Sequence, residues 1–527
     1  MYWQVQRRIR LCCLMSMGKR SVTFKDYNPD QVLMLPPSLD ELIGADHPVR
    51  VVNEVINKIN LQPLVDQYTG GGTSSYHPKM LLKILVYGYV SNIYSSRKLE
   101  AATKENIHFM WLAAMKTPDH HTINRFRGKR LKDTLRKIFI QVVELLAAEG
   151  LLSLKDIYVD GTKIEANANR YTFVWGNAIK TSKEKMGKQL EELWQYSQKV
   201  AEAEMNEPEP PDFTTIDKEK VQQTIAKIDA ALKDKPGVSK EVKQKLKYAE
   251  KTWPAKLDQY AEQEQILNGR KSYSKTDNDA TFMRMKEDHM GNGQLKAAYN
   301  VQVSTSNQFI VDYSIHQKPT DTTTMPVHLE QHRQQYNELP QCVTADAGYG
   351  SEENLQYAED NNMEGYIKYS TFDKQQQDSY NTKRPFAAGT LYYNAEKDCF
   401  YCPMGQAMNC IEGGINITAT GYRQHLKKYQ AKNCEGCPLR GVCHQGQGNR
   451  IIEVNQNLNR LKQAARERLN SEEGVAHRKQ RCHDVEPVFG NIKSNHGFHR
   501  FMLRGKQKVA VELGLLALAQ NLRKKAA

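Results

Sequence analysis

Residues 155–170 read "KDIYVDGTKIEANANR". Alternation and β-branched residues up to Asp160 predict a strand, and Asp160-Gly161 is a dipeptide that commonly makes the turn after one. The chain before residue 150 reads as helix, so an α/β unit begins here. Its continuation lies more than a hundred residues on. "QLKAAYNVQVSTSNQFIVDYSIHQK" (294–318) holds two strand-like runs flanking "TSNQ", an antiparallel hairpin. "TDTTTMPVHLEQHRQQY" (320–336) is a helix, and "PQCVTADAGYG" (340–350) is a buried strand ending at Asp346. "SEENLQYAEDNN" (351–362) is a helix with Ser351 as its N-cap, and "EGYIKYS" (364–370) is another strand. Strand, hairpin, helix, strand, helix, strand predicts an α/β fold: a mixed sheet with helices on both faces.

Between the first two parts of that sheet, residues 176–269 are charge-laced and helical. Met186, Leu190, Leu193 and Val200 form one apolar stripe; Val221, Ile225, Ile228 and Leu232 form another. "NEPEPPD" (206–212) separates them, which predicts an inserted helical hairpin without a chemical motif. Residues 26–150 predict an all-α region. Pro78 and Pro118 suit the first turns of helices, with Thr117 as the cap of the second. That second helix carries Arg125, Arg127, Lys129 and Arg130, compatible with a helix-turn-helix DNA reader or with a bundle whose last helix has a solvated basic face.

At 527 residues the chain exceeds one ordinary core, and its net charge of +14 favours a polyanionic partner. No run reaches the eighteen or so apolar residues that a membrane span needs. "LCCLM" (11–15), preceded by basic residues, is too short for a signal peptide, so residues 1–25 are expected to be a disordered tail. Ten cysteines without a secretion signal point to a reducing, cytoplasmic setting, where clustered thiols more often bind metal than pair.

Asp160 and Asp346 each close a predicted strand beside a glycine. Either alone is a turn residue; together, on the first strand and on the strand after the hairpin and helix, they suit a ligand site at strand ends. A third acid would converge on them from a late helix. Glu486, in "RCHDVEPVFGNIKSNHGFHRFMLRG" (481–505), is the choice, with Asp484 as helix cap and Pro487 in the first turn. Between Arg478 and Lys508 stand eight Lys/Arg and two acids, interleaved with Phe489, Phe498 and Phe501, a surface for backbone phosphates. Glu472, Glu473 and Glu512 are the rival acids. Carboxylates about 4 Å apart repel by about 4 kcal/mol at an effective dielectric near 20, so in such a trio one acid protonates or a divalent cation binds, and oxygen-only ligands suit Mg²⁺ or Mn²⁺. A second cluster, "DCFYCPMGQAMNC" (398–410) with "KNCEGCPLRGVCH" (432–444), pairs Cys399-x2-Cys402 with Cys434-x2-Cys437 as a four-thiolate zinc site, Cys443 and His444 competing.

"VDGTKIEANAN", "TADAGYG" and "VEPVFGNIKSNHGFHRFMLRG" together resemble the three acidic motifs of DDE transposases from bacterial insertion sequences. The resemblance covers most of the chain. It implies a ribonuclease H-like core, with Asp160, Asp346 and Glu486 as catalytic metal ligands for Mg²⁺ or Mn²⁺. Lys493 then matches the lysine that contacts DNA near the cleavage point. The related signature Tyr-x2-Arg-x3-Glu finds Lys479 and Cys482 in its places, with Arg481 one residue out of step. The same resemblance favours Cys402, Cys434, Cys437 and Cys443 as ligands of a structural Zn²⁺, with Cys399 in reserve.

The implied activity is cleavage at the ends of the element and transfer of the 3′ ends to target DNA. Double-stranded DNA is the partner, bound by a homodimer through Arg481, Lys493, Arg500 and Arg504, and through Arg125 and Arg127 of the helical region. A non-catalytic zinc-containing DNA-binding protein and a ribonuclease H-like nuclease without strand transfer are the alternatives. The expected domains are a DNA-binding region at 26–150, a catalytic core at 151–175 and 270–385 with C-terminal helices at 453–527, the helical insertion at 176–269, and a cysteine-rich insertion at 386–452. Asp277, Asp279 and His289 fall in a loop expected near the site, without an assigned role.

Overall fold

A computed structural model describes residues 38–68, 75–201, 211–233, 235–285, 293–377, 379–382 and 385–527. The expected N-terminal tail and His289 lie outside them. The chain opens with helices α1 (Pro48–Lys58), α2 (Pro78–Val90), α3 (Ser96–Glu105), α4 (Ile107–Leu112), α5 (His120–Arg125) and α6 (Leu135–Ala148). Prolines begin α1 and α2, where the missing amide has no intrahelical partner anyway. His47 and His77 cap them, their Nδ1 atoms accepting the amides of Val49 and Lys79 at 3.2 and 3.1 Å. The cap expected at Thr117 sits two residues later: the Asp119 carboxylate accepts the Thr122 amide at 3.0 Å, and α5 runs into a π-helical turn, Phe126–Arg130.

The insertion folds as three helices, α7 (Gly176–Val200), α8 (Lys218–Leu232) and α9 (Lys240–Leu267), in place of the expected two-armed hairpin. Pro236-Gly237 divides the second arm, with Gly237 at φ 94°, a conformation side-chain-bearing residues rarely adopt. Both expected stripes face inward, Leu190 and Trp194 meeting Val221, Ile225, Leu246 and Trp253.

The main sheet contains β1 (Asp156–Glu165), β2 (Thr281–Arg284), β3 (Leu295–Ser306), β4 (Phe309–His316), β5 (Cys342–Ala345) and β6 (Glu364–Ile367). Its order is β2-β3-β1-β5-β6, with β4 also on β3. β1 runs antiparallel to β3 and parallel to β5, and β5 is parallel to β6. The β3–β4 hairpin turns at Asn307-Gln308, both at positive φ (51° and 61°), as two-residue hairpin turns require. Asp160-Gly161 is not a turn. β1 stays paired with β3 through Glu165, opposite Ala298. Gly161 lies across from Gln302, whose side chain occupies the space a Cβ would need.

Helices α10 (Met325–Tyr336) and α11 (Glu352–Asp360) follow β4 and β5, the latter capped by Ser351 as expected. Then comes a small antiparallel sheet of β7 (Tyr393–Asn394), β8 (Cys399–Tyr401), β9 (Ala407–Ile417), β10 (Arg423–Ala431) and β11 (Ile451–Val454), closed over Phe400, Met408, Tyr429 and Ile452. The chain ends in α12 (Gln456–Asn470), α13 (Glu472–Gly490) and α14 (Lys506–Ala526).

Both faces of the main sheet are covered. Ile157, Val159 and Val343 pack beneath Met325, Leu329, Leu355, Leu461 and Leu469 of α10, α11 and α12. On the other face, Tyr299, Val301 and Tyr313 join Phe139 of α6, Leu515 and Leu518 of α14, and Leu82 and Leu85 of α2 in one cluster. The N-terminal helices therefore share a core with the sheet through α14. No helix among the described residues is long and apolar enough to cross a membrane.

Candidate active site

The parallel register of β1 and β5 builds the site. Val159 lies opposite Ala345, so the next residue on each strand, Asp160 and Asp346, emerges side by side where β5 ends. Asp160 is therefore a mid-strand residue, while Asp346 ends its strand as expected. Helix α13 supplies the third acid. Its start is not Asp484 but Glu472, where Ser471 Oγ accepts the Gly474 amide at 3.0 Å. Pro487 consequently lies inside the helix and frees the carbonyl four residues back. That carbonyl, of His483, accepts from Gln308 Nε2 at 2.8 Å, and the Asp484 carboxylate accepts the Gln308 amide at 3.0 Å. The β3–β4 turn thus clamps α13 just before Glu486.

One guanidinium stands among the three acids. Arg481 Nη2 is 3.0 Å from Asp160 Oδ2 and 3.9 Å from Asp346 Oδ2, and its Nη1 is 3.1 Å from Glu486 Oε1. Side-chain exposure grades from 11% at Asp160 through 38% at Asp346 to 51% at Glu486, so the trio opens outward from a buried base. As they stand, no three His, Cys, Asp or Glu side chains among the described residues are close enough to hold a metal ion. At the trio the reason is visible, because Arg481 lies between the carboxylates. The donor set itself is all oxygen and already gathered about a positive charge, which fits a hard divalent cation.

Four further residues border the acids, and their spacing in sequence gave no signal. Asp321 Oδ1 accepts from Asn300 Nδ2 at 2.7 Å and from Gln302 Nε2 at 2.8 Å. A methyl group added at Gly348 would touch both the Asp346 and the Asp321 carboxylates. Tyr349 donates to Gln302 Oε1. Burial, then the charges of Asp321, Asp160 and Asp346, push its hydroxyl far above its ordinary range, so it remains a donor. Asn300 and Gln302 alternate with core residues on β3, and only the fold shows that this face meets Asp321.

The other expected site residues divide. Lys493 lies in the π-helical turn Asn491–Asn495 that directly continues α13. Arg500 donates to the carbonyls of Ala166 and Ala168 at 3.1 and 2.9 Å, and Arg504 donates to the Asn167 carbonyl at 2.8 Å. Both are exposed and anchored to the chain leaving β1. Arg125 is exposed at the end of α5. Arg127 is not available to DNA: it is buried, donating to the Tyr94 carbonyl at 2.8 Å, Tyr89 Oη at 3.3 Å and Asn124 Oδ1 at 3.3 Å. The π-helical turn rotates it inward. Phe498 and Phe501 are also buried and belong to the core, so the aromatic residues of this stretch pack rather than stack on bases.

Two of the rival acids have structural partners, and Glu472 stands in the first turn of α13. Glu473 accepts from Tyr366 Oη at 3.2 Å, and buried Glu512 accepts the amides of Met502 and Leu503 at 2.9 and 3.0 Å. Asp277 and Asp279 accept the amides of Gly505 and Lys506 at 3.1 and 2.8 Å, placing two carboxylates at the start of α14. Among the described residues the expected thiolates do not come together as a group of three or more that could hold a metal ion. Cys402 and Cys434 pack against the core of the small sheet, Cys402 Sγ accepts the Gln406 amide at 3.3 Å, and Arg450 Nη1 donates to Cys443 Sγ at 2.9 Å. An apolar cluster and a buried arginine hold this region together, so the Zn²⁺ expectation finds no support.

Three carboxylates gathered on one guanidinium, where the central strand β1 passes the end of β5, form an oxygen-rich site, and the basic segment after Glu486 continues from it. Two family models match the chain, "Transposase DDE domain" over residues 401–526 and "Transposase domain (DUF772)" over residues 37–129. Both matches support a DDE-type transposase of insertion sequences, and DNA is the substrate that such domains imply. No curated protein and no solved structure matches it.

Proposed function

We propose that this transposase cleaves DNA at the ends of its insertion sequence and transfers the 3′ ends to target DNA, with Asp160, Asp346 and Glu486 as its catalytic carboxylates. The convergence of those three side chains on one guanidinium carries the reading. The strand order supports a ribonuclease H-like core, since two parallel strands follow the first strand on one side and an antiparallel hairpin lies on the other. The three carboxylates would hold Mg²⁺ or Mn²⁺. When bound, the metal supplies Lewis-acid activation of an attacking water or 3′-hydroxyl and stabilisation of the leaving oxygen.

The chain's own residues bind and orient. Lys493, Arg500 and Arg504 lie on the segment following Glu486, where they meet backbone phosphates and set the DNA register. The Tyr349–Gln302–Asp321 network fixes the loop bearing Asp346 against β1. Asp160 is held by the sheet on both sides, so its carboxylate keeps its place through the reaction.

Asp346→Asn and Glu486→Gln should each reduce strand cleavage at least about a thousandfold, or about 4 kcal/mol of transition-state stabilisation, with affinity for element-end DNA changed by no more than a few fold. Cleavage retained by either variant removes that residue from the catalytic set. Joining of a pre-cut 3′ end separates a transposase from a nuclease without strand transfer.

A further inference from the structure

We propose that Arg481 is the resting counter-ion of the carboxylate trio, a positioning residue that holds the three acids together until a divalent cation displaces it. This rests on the trio being the cation site. One positive charge faces three negative ones, with Nη2 shared between Asp160 and Asp346 and Nη1 on Glu486. A divalent ion in the same place would bring twice the charge of the guanidinium to the three carboxylates.

Arg481 and a divalent ion cannot share that space. The guanidinium sits where a cation would have to lie to touch both Asp160 and Glu486, and two positive centres at such separation repel strongly in a partly buried site. The hold on Arg481 is also incomplete. Its Nε is buried without a hydrogen-bond partner, so the side chain stays at a cost that leaving would relieve. Its place on α13, five residues before Glu486, keeps it beside the site when released. There the planar fork matches two oxygens of a phosphate, a geometry that a lysine does not offer.

The consequence is a competition readable without DNA or catalysis. Mn²⁺ alone is titrated into the full-length chain, with binding followed by electron paramagnetic resonance and melting recorded in parallel. Arg481→Gln should bind Mn²⁺ about tenfold more tightly than wild type, because the competing charge is gone. Its metal-free melting temperature should fall and be restored by Mn²⁺. An arginine that only supported packing would lower the melting temperature without tightening metal binding. Equal or weaker Mn²⁺ affinity in Arg481→Gln overturns the proposal. If that variant does not fold, Arg481→Lys decides: a single ammonium cannot fork between the acids, so Mn²⁺ should bind several-fold more tightly, and unchanged affinity is the negative result. Asp346→Asn separates the two layers. If it binds Mn²⁺ as wild type does, the carboxylates are not the cation site; if it loses Mn²⁺ while Arg481→Gln changes nothing, only the counter-ion role falls.

Discussion

Arg481 and Asp160 form an ion pair at 3.0 Å across 321 residues of chain. It ties α13 to the middle of β1, and the same guanidinium reaches Glu486 and approaches Asp346. The pair is mostly buried, with 15% and 11% of the two side chains exposed, so solvent screens it less than a surface ion pair. The acids that would repel one another are thus assembled around a charge the chain itself provides.

Arg125 and Arg127 stand two residues apart and should behave differently. Arg127→Ala leaves Tyr89 and the Tyr94 carbonyl without their buried donor and should destabilise the fold by about 3 kcal/mol in urea melts. Arg125→Ala should leave stability nearly unchanged. In DNA titrations it should lower affinity and flatten the salt slope by about one unit, the signature of one lost phosphate contact.

Gly161→Ala should impair catalysis without loss of DNA binding. The added Cβ would collide with Gln302 Nε2 and lie 2.8 Å from Asp321 Oδ1, forcing apart the network beside Asp160. A displacement of about 1 Å at a catalytic carboxylate costs on the order of a hundredfold in rate. Strand-cleavage assays beside gel-shift titrations check this, and an unchanged rate would show that Asp160 does not depend on the shelf.

The buried histidines of α10 make the fold sensitive to acid. Burial holds His328 down to about 3 and His332 to about 4. Folded, both stay neutral; unfolded, they take up protons below about 6.5. The unfolded state then binds more protons, so stability is complete above that pH and falls as the pH drops, by up to about 1.4 kcal/mol per unit for each histidine. His332 has no hydrogen-bond partner at either ring nitrogen. His332→Leu should flatten the acid limb of a stability profile between about pH 6.5 and 4 while changing neutral stability little; an unaltered slope would place the titration elsewhere.

Much of this molecule is legible in residue order. The hairpin at 294–318, the strand closing at Asp346, the strand that begins at Glu364 and the Ser351 cap follow from alternation and turn chemistry, which act within a few residues. The apolar stripes of the insertion also point where their spacing says. Local patterns misplace what neighbours decide. Asp160-Gly161 has a turn's composition, yet β3 carries β1 straight through it, because Gln302 fills the space opposite the glycine. Pro487 looks like the start of a helix, but Gln308 satisfies the carbonyl it frees and the helix begins far upstream.

The sequence by itself determined the three acids, the order of strands around them and the basic segment after Glu486, since residue type and element order are properties of the chain. Tertiary structure decided how they meet. The β1–β5 register brings Asp160 beside Asp346, the clamp on α13 presents Glu486, and Arg481 falls among all three. It also turned Arg127 inward. Charge, burial and contact depend on distances between segments hundreds of residues apart, and no local spacing encodes those distances.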